Sequence, residues 1–350
     1  MARPGREEAA EALRRVAFLL ERGSASRYRV AAFRKAAAAV ESVAPDRLDA
    51  LHRAGRLAEL PGVGNRTGGV IGEVLAGRQV PYLEDLERSA DVPPGPGAAL
   101  RRELRGDLHS HTEASDGTTS MQEMVLAALE LGHEYLAVTD HSPRLTVANG
   151  LSPERLQSQI GKVRALSEAV APFRLLAGIE VDILDDGSLD QEPELLGSLD
   201  VVVASVHSKL RMDRAAMTQR MLAAVRNPHL DVLGHCTGRY ISGRTRPQSE
   251  FDARAVFAAC AEHGVAVEIN CQPRRQDPPD DLLRLAVECG CLFSIDSDGH
   301  APGELAWLSD GCDRAVVCGV PPERVVNRMA ADELLEWTAR RRGPNGRPVG

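Results

Sequence analysis

Between residues 104 and 295 short apolar runs alternate with longer amphipathic stretches, and this alternation restricts the fold more than any other feature of the chain. Strands are expected at 104–109, 135–139, 174–181, 201–206, 231–234, 265–269 and 291–295, with helices at 120–132, 153–170, 213–226, 251–263 and 280–289. Runs such as VVVASV and LAVT are apolar on both faces, as strands of a parallel sheet covered by helices must be. Seven such units imply an α/β fold, a closed or nearly closed β/α barrel.

Ionisable residues fall just past these strands. His109, His111 and Asp116 follow the first, Asp140 and His141 the second, Glu180 ends the third, and His207 and His235 follow the fourth and fifth. Glu268 to Asn270 end the sixth, and Asp298 and His300 follow the seventh. The carboxyl ends of barrel strands converge on one face, so residues far apart in sequence meet there. Positions i and i+2 of an extended segment point the same way, so His109 and His111 can reach one ion. Any one of these histidines alone is more simply a hydrogen-bonded loop or core residue; the recurrence is the signal. Mixed imidazole and carboxylate donors suit Zn, Mn or Fe, and Glu180 is placed to bridge two ions. Close divalent ions typically hydrolyse phosphate esters. Arg239, Arg244, Lys209 and Arg211 lie beside the candidate ligands as possible phosphate clamps. The remaining histidines, His52, His133, His229 and His263, are assigned to surfaces or helix ends.

Residues 1–90 have a different character: they carry 15 Lys and Arg against 12 Asp and Glu, whereas the remainder carries 27 against 38. A mildly basic module joined to an acidic one suits contact with a polyanion. Helical spacing covers 7–22 and 28–43, the latter with Arg34 and Lys35 exposed, and a short helix is expected around 48–57. Leu60-Pro-Gly-Val-Gly-Asn65 then leads into a helix capped by Asn65 and stopped near Gly77, a helix-hairpin-helix pattern. Its glycines, Gly62 and Gly64, let backbone N–H groups approach a phosphate, with Asn65, Arg66, Arg34 and Lys35 as further DNA-backbone contacts. The alternative is a tight turn between packed helices. Residues 91–99 read as a linker, 100–342 as the barrel and 343–350 as a flexible tail. Seven scattered cysteines fit reduced thiols, with Cys289 and Cys291 as buried filler. No signal peptide and no apolar run of about 18 residues is present, so the expectation is a cytoplasmic protein without membrane contact.

In order, H-S-H, T-D-H, G-I-E-V-D, S-V-H, G-H-C-T-G-R, E-I-N and D-S-D-G-H resemble the PHP (polymerase and histidinol phosphatase) family, specifically the PHP domain carried by bacterial family-X DNA polymerases. The likeness covers 103 to about 328, and residues 1–90 are similar to the helical amino-terminal domain of those polymerases. It implies a distorted (β/α)7 TIM-like barrel behind a small all-α helix-hairpin-helix domain. It also implies three divalent ions: His109, His111, Glu180 and Asp298 on the first, Glu180, His207 and His235 on the second, Asp116, His141 and His300 on the third. Two departures stand out. Only a linker separates the modules, leaving no room for a polymerase palm, and Val70 stands where related lyases place a Schiff-base lysine. The implied activity is a DNA phosphoesterase using metal-activated water, as a 3′-to-5′ exonuclease or at blocked 3′ ends and abasic sites, with Glu180, Asp298, Arg239 and Lys209 in the catalytic machinery. The alternatives are a small-molecule phosphatase such as histidinol-phosphate phosphatase and a non-catalytic DNA-binding protein.

Overall fold

The computed structural model describes residues 5–342, so the tail expected at 343–350 lies outside the described residues. The chain divides into two compact units with the boundary at Pro93 and Pro94.

The first unit is all helical: α1 Arg6–Arg22, α2 Arg27–Ser42, α3 Pro45–Arg53, α4 Asn65–Leu75 and α5 Pro81–Ala90. Leu13, Val16, Ala17 and Leu20 of α1 pack with Phe33, Ala36 and Val40 of α2 and with Val70 and Ile71 of α4, so their 3.6-residue spacing becomes one core. The third helix starts and stops earlier than 48–57, because Pro45 suits its first turn and Gly55, at φ +69, ends it. The hairpin helix is capped not by Asn65 but by Gly64, whose N–H donates to Thr67 Oγ1 at 2.9 Å.

The second unit is a parallel sheet of seven strands in sequence order: β1 Gly106–Asp107, β2 Tyr135–Val138, β3 Arg174–Asp182, β4 Val201–Ser205, β5 Val232–Leu233, β6 Ala266–Asn270 and β7 Leu292–Asp296. Helices α6 Ala98–Glu103, α7 Met121–Glu130, α8 Pro153–Ala169, α9 Pro193–Leu196, α10 Arg214–Val225, α11 Ala253–His263, α12 Asp280–Glu288, α13 Leu308–Val317 and α14 Ala331–Arg342 accompany it. The result is a seven-stranded TIM-like barrel. The first strand is shorter than 104–109, since α6 occupies the residues before Leu104 and side chains take over the pairing. Ser110 and Gly299 form a parallel bridge, the His111 N–H donates to the Gly299 carbonyl at 2.8 Å, and the Leu108 N–H donates to Asp296 Oδ1 at 2.9 Å. At the other end Asn327 donates to the carbonyls of Gly106 and Ile295 and accepts from the Ile295 N–H. These contacts join β1 to β7.

The interior changes character along the strands. Tyr135, Ala137, Leu176, Val201, Val203, Val232 and Ala266 fill the amino-terminal end and pack on Val326 and Leu334. Two-residue steps along the same strands lead to Glu180 and Glu268 at the carboxyl end. Residues 94–99 are not a free linker: the Gly97 N–H donates to Asp313 Oδ1 at 2.7 Å, tying the segment to α13. His133 and His229 stand just past the ends of α7 and α10, the helix-end placement, but are buried, and His133 Nε2 lies 3.1 Å from the Arg101 guanidinium. All seven cysteines are free thiols, but Cys289 is only half-buried while Cys291 is fully buried. No helix among the described residues is long and apolar enough to cross a membrane.

Candidate metal centre

Glu180 leaves the end of β3 at the centre of the barrel mouth, 1% exposed. Its Oε2 lies 3.4 Å from His109 Nε2, 3.6 Å from His111 Nε2 and 2.9 Å from His141 Nδ1. Its Oε1 lies 3.2 Å from His207 Nε2 and 2.8 Å from His235 Nε2. Asp298 Oδ1 closes the first group at 3.4 Å from His111 Nε2 and 4.0 Å from His109 Nε2. Asp116 Oδ1 stands 3.4 Å from His141 Nε2 and 3.3 Å from His300 Nε2. All nine positions singled out as metal ligands in the sequence are thus brought together. Seven of them fall into three overlapping groups: His111, Asp116, His141 and His300; His109, His111 and Glu180; His141, Glu180 and His207; the other two adjoin these, His235 at Glu180 Oε1 and Asp298 at His111 Nε2.

Two observations fit these groups to cations. Donors on one tetrahedral ion with bonds of about 2.0–2.1 Å are separated by about 3.3 Å, close to most of the spacings above. Moreover, His109 Nε2, both nitrogens of His111, His207 and His235, His141 Nδ1, Asp116 Oδ1 and both oxygens of Glu180 are buried with no hydrogen-bond partner. Buried polar atoms are ordinarily satisfied, and so many orphans on one surface make sense when a positive ion takes their lone pairs.

Electrostatics act on the donors in both directions: burial opposes a charge on His109, His141, His207 and His300, yet neighbouring carboxylates raise all four, while the carboxylates are held ionised. Burial works to raise the Glu180 carboxyl, but the imidazoles of His207, His109 and His141 outweigh it and hold the group well below the usual carboxylate range. Burial, then the neighbouring His300 and His141, push His111 down to about 3, leaving a neutral ring with a free lone pair. Burial also opposes the charge on Asp298, yet His111, His109 and Arg275 keep it ionised.

Several groups act as supports: Glu268 and Asp140, already noted at strand ends in the sequence, and Asp182 and Arg275, which sequence reasoning did not single out. Glu268 Oε1 sits 2.5 Å from His109 Nδ1, which turns Nε2 toward Glu180, and Glu268 Oε2 accepts the His235 N–H. Asp182 Oδ1 faces His207 Nδ1 at 3.4 Å and accepts that residue's N–H. Asp140 accepts from the Thr112 N–H, Thr112 Oγ1, Ser115 Oγ and Gln159 Nε2, pinning the loop that carries Asp116. Arg275 Nε donates to Asp298 Oδ2 at 3.1 Å. Glu268 lies two residues beyond the inward Ala266 and Asp182 two beyond Glu180, so both follow the strand period; Arg275 depends on loop geometry without a sequence period.

Two of the four expected phosphate clamps are otherwise engaged. Arg239 donates to the carbonyls of Arg275 and Gln276, and Lys209 pairs with Asp185. Arg244 and Arg211 are exposed. In the helical unit Arg34 is not exposed but forms a two-pronged pair with the buried Glu21, at 2.8 and 2.9 Å. Lys35, Gly62, Gly64, Asn65 and Arg66 are exposed. Gly62 adopts φ +83 with Lys35 beside it, a backbone that favours glycine. Arg66 and Arg29 both lie over the Tyr82 ring, at 5.3 and 5.7 Å.

A PHP domain model matches residues 107–272, and a helix-hairpin-helix domain model matches residues 4–79. The chain is 39% identical over 238 residues to the DNA polymerase/3′-5′ exonuclease PolX of Bacillus subtilis, covering 68% of this chain and 41% of that protein. It therefore spans about two fifths of that relative's length. It is 30% identical over 254 residues to a probable phosphatase of Edwardsiella ictaluri, covering 69% of this chain and 96% of that protein. Among solved structures, the histidinol phosphate phosphatase of Lactococcus lactis, complexed with zinc, L-histidinol and phosphate, matches with 19% identity and a TM-score of 0.44 over 61% of this chain and 92% of that one.

Proposed function

This chain belongs to the PHP family of metal-dependent phosphoesterases, and from that premise we propose that its substrate is DNA, hydrolysed from 3′ ends as a 3′-to-5′ exonuclease or at blocked 3′ ends and abasic sites. One observation carries the choice of DNA: the chain that holds the barrel also holds a helix-hairpin-helix unit with exposed Gly62, Gly64, Asn65, Lys35 and Arg66. N–H groups at the start of α4 point away from their own helix and suit a phosphate oxygen without reading a base. A phosphatase of small monoesters gains nothing from such a unit.

In this reading His109, His111, Glu180 and Asp298 would hold one divalent ion, Glu180, His207 and His235 a second, and Asp116, His141 and His300 a third. The donor set suits Zn, Mn or Fe. When bound, such ions activate water as a nucleophile and stabilise the oxygen that leaves phosphorus. The chain's own contribution is orientation. Glu268 and Asp182 fix the ring positions of His109 and His207, and Arg275 holds Asp298 from its outer side.

The test gives metal-loaded protein a 3′-recessed duplex, a 3′-phosphate duplex and histidinol phosphate side by side. Shortening or dephosphorylation of DNA at rates well above histidinol phosphate turnover is expected. Rapid release of phosphate from histidinol phosphate with intact DNA would favour the small-molecule phosphatase reading instead.

A further inference from the structure

Beyond β5 the chain passes through Tyr240, and three guanidinium groups lie over its ring: Arg246 at 4.1 Å from the centroid, Arg275 at 4.7 Å and Arg274 at 4.9 Å. They differ in depth, from buried Arg275 through half-buried Arg246 to exposed Arg274. Arg275 Nε donates to Asp298 Oδ2, while Asp298 Oδ1 faces His111 Nε2 at 3.4 Å. The carboxylate therefore stands between the imidazoles and the guanidinium cluster. Arg246 Nε donates to the Gly238 carbonyl at 2.6 Å and Arg274 Nε to Gln272 Oε1 at 2.5 Å, and neither has a carboxylate partner among the described residues. Arg275 Nη1 is buried with no hydrogen-bond partner.

The Tyr240 ring attracts each cation through its quadrupole but neutralises none of them. Asp298 is the only carboxylate in hydrogen-bond contact with the three guanidinium groups among the described residues, with Glu180 and Asp277 acting on Arg275 from farther off, and in this partly buried setting the repulsion among the three like charges is stronger than in water. An anion with several acceptor oxygens relieves that repulsion and satisfies the idle guanidinium N–H groups. We infer that Arg246, Arg274 and Arg275, arrayed on Tyr240, form a subsite for the phosphodiester group next to the scissile one in a polynucleotide strand. This rests on the DNA reading above. The neighbouring phosphate fits better than the scissile one because Asp298 separates the cluster from the imidazoles. A phosphomonoester has a single phosphate and nothing to place here, so the cluster also discriminates between substrate classes.

The test compares the full-length protein with an Arg246→Gln/Arg274→Gln variant, leaving Arg275 intact because it touches Asp298. Two substrates are used: single-stranded oligothymidylate, and the p-nitrophenyl ester of thymidine 5′-monophosphate, a diester with no neighbouring phosphate. For the oligonucleotide the variant's KM should rise by about tenfold or more, the loss of two charged contacts to one phosphate, with kcat unchanged. The slope of log KM against log salt should shrink by about 0.7, the counterion release of one single-strand phosphate. Turnover of the nitrophenyl ester should not change, which also shows the variant to be folded. Unchanged KM and salt slope on an oligonucleotide that the wild type degrades would overturn the subsite alone, as would equal losses on both substrates. Wild-type protein that leaves oligothymidylate intact while hydrolysing the nitrophenyl ester would overturn the DNA reading and the subsite with it.

Discussion

At Glu180 five imidazoles, those of His109, His111, His141, His207 and His235, approach one buried carboxylate within 2.8–3.6 Å. Such an assembly depends on which ring nitrogen each histidine presents, and for His109 that choice belongs to Glu268. Replacing Glu268 with Gln keeps the shape but removes the carboxylate charge that faces His109 Nδ1, and should lower metal affinity or kcat/KM by about 10–100-fold. Metal titration and steady-state kinetics on the same preparation check this; unchanged values would mean that the contact does not tune the site. Arg34 illustrates the opposite outcome of a residue-level expectation. A side chain read as a DNA contact is committed to Glu21, which is 3% exposed. Removing one partner of a buried pair strands a charge, so Arg34→Ala should cost about 3 kcal/mol in a denaturation curve, whereas exposed Lys35→Ala should stay within about 0.5 kcal/mol. Equal effects would contradict the assignment.

At the scale of elements, much was legible from periodicity, and what was not has a physical reason. Apolar runs located the strands to within a residue or two at β2, β3 and β4, because both faces of those strands are buried. The first strand was overestimated because its closure onto β7 runs through Asp296 and Asn327 side chains, which leave no alternation to read. Ligands at strand ends were readable by residue type and position. The pairings among them were not, since Glu268, itself readable at a strand end, meets His109 across 159 positions through register alone. His133 does follow a helix end, past α7, but its burial was not legible, since nothing local marks it: it is 4% exposed. Burial, then the charge of Arg101, depresses its pKa to about 3. The unfolded chain takes up this proton below about pH 6.5 while the folded one refuses it, so the contribution is complete above that pH and is lost as pH falls toward 3. His133→Gln should therefore lose less Tm than the wild type between pH 7 and pH 4, as followed by circular dichroism. Parallel curves would refute the assigned burial.

For the whole molecule, a mildly basic helical unit and an acidic barrel divide binding from chemistry in the proposed reading. The hairpin should add affinity for any DNA sequence, because N–H groups and arginines touch phosphates rather than bases. Arg66→Glu should raise KM for duplex DNA several-fold, about one lost phosphate contact, and flatten its salt dependence. Bis-p-nitrophenyl phosphate, too small to span a hairpin, should be hydrolysed as before; an equal change on both substrates would make the residue structural. The central claim, that the nine clustered ligands form a metal site responsible for phosphoester hydrolysis, is tested most directly by measuring metal content and phosphodiester cleavage on one preparation. Both are followed before chelation, after exhaustive chelation, and after return of Mn or Zn, with Asp298→Ala carried in parallel. Bound metal and activity should fall and recover together, and Asp298→Ala should neither hold the full complement of metal nor cleave. Undiminished cleavage by protein stripped of metal, or normal turnover by Asp298→Ala, would contradict the claim.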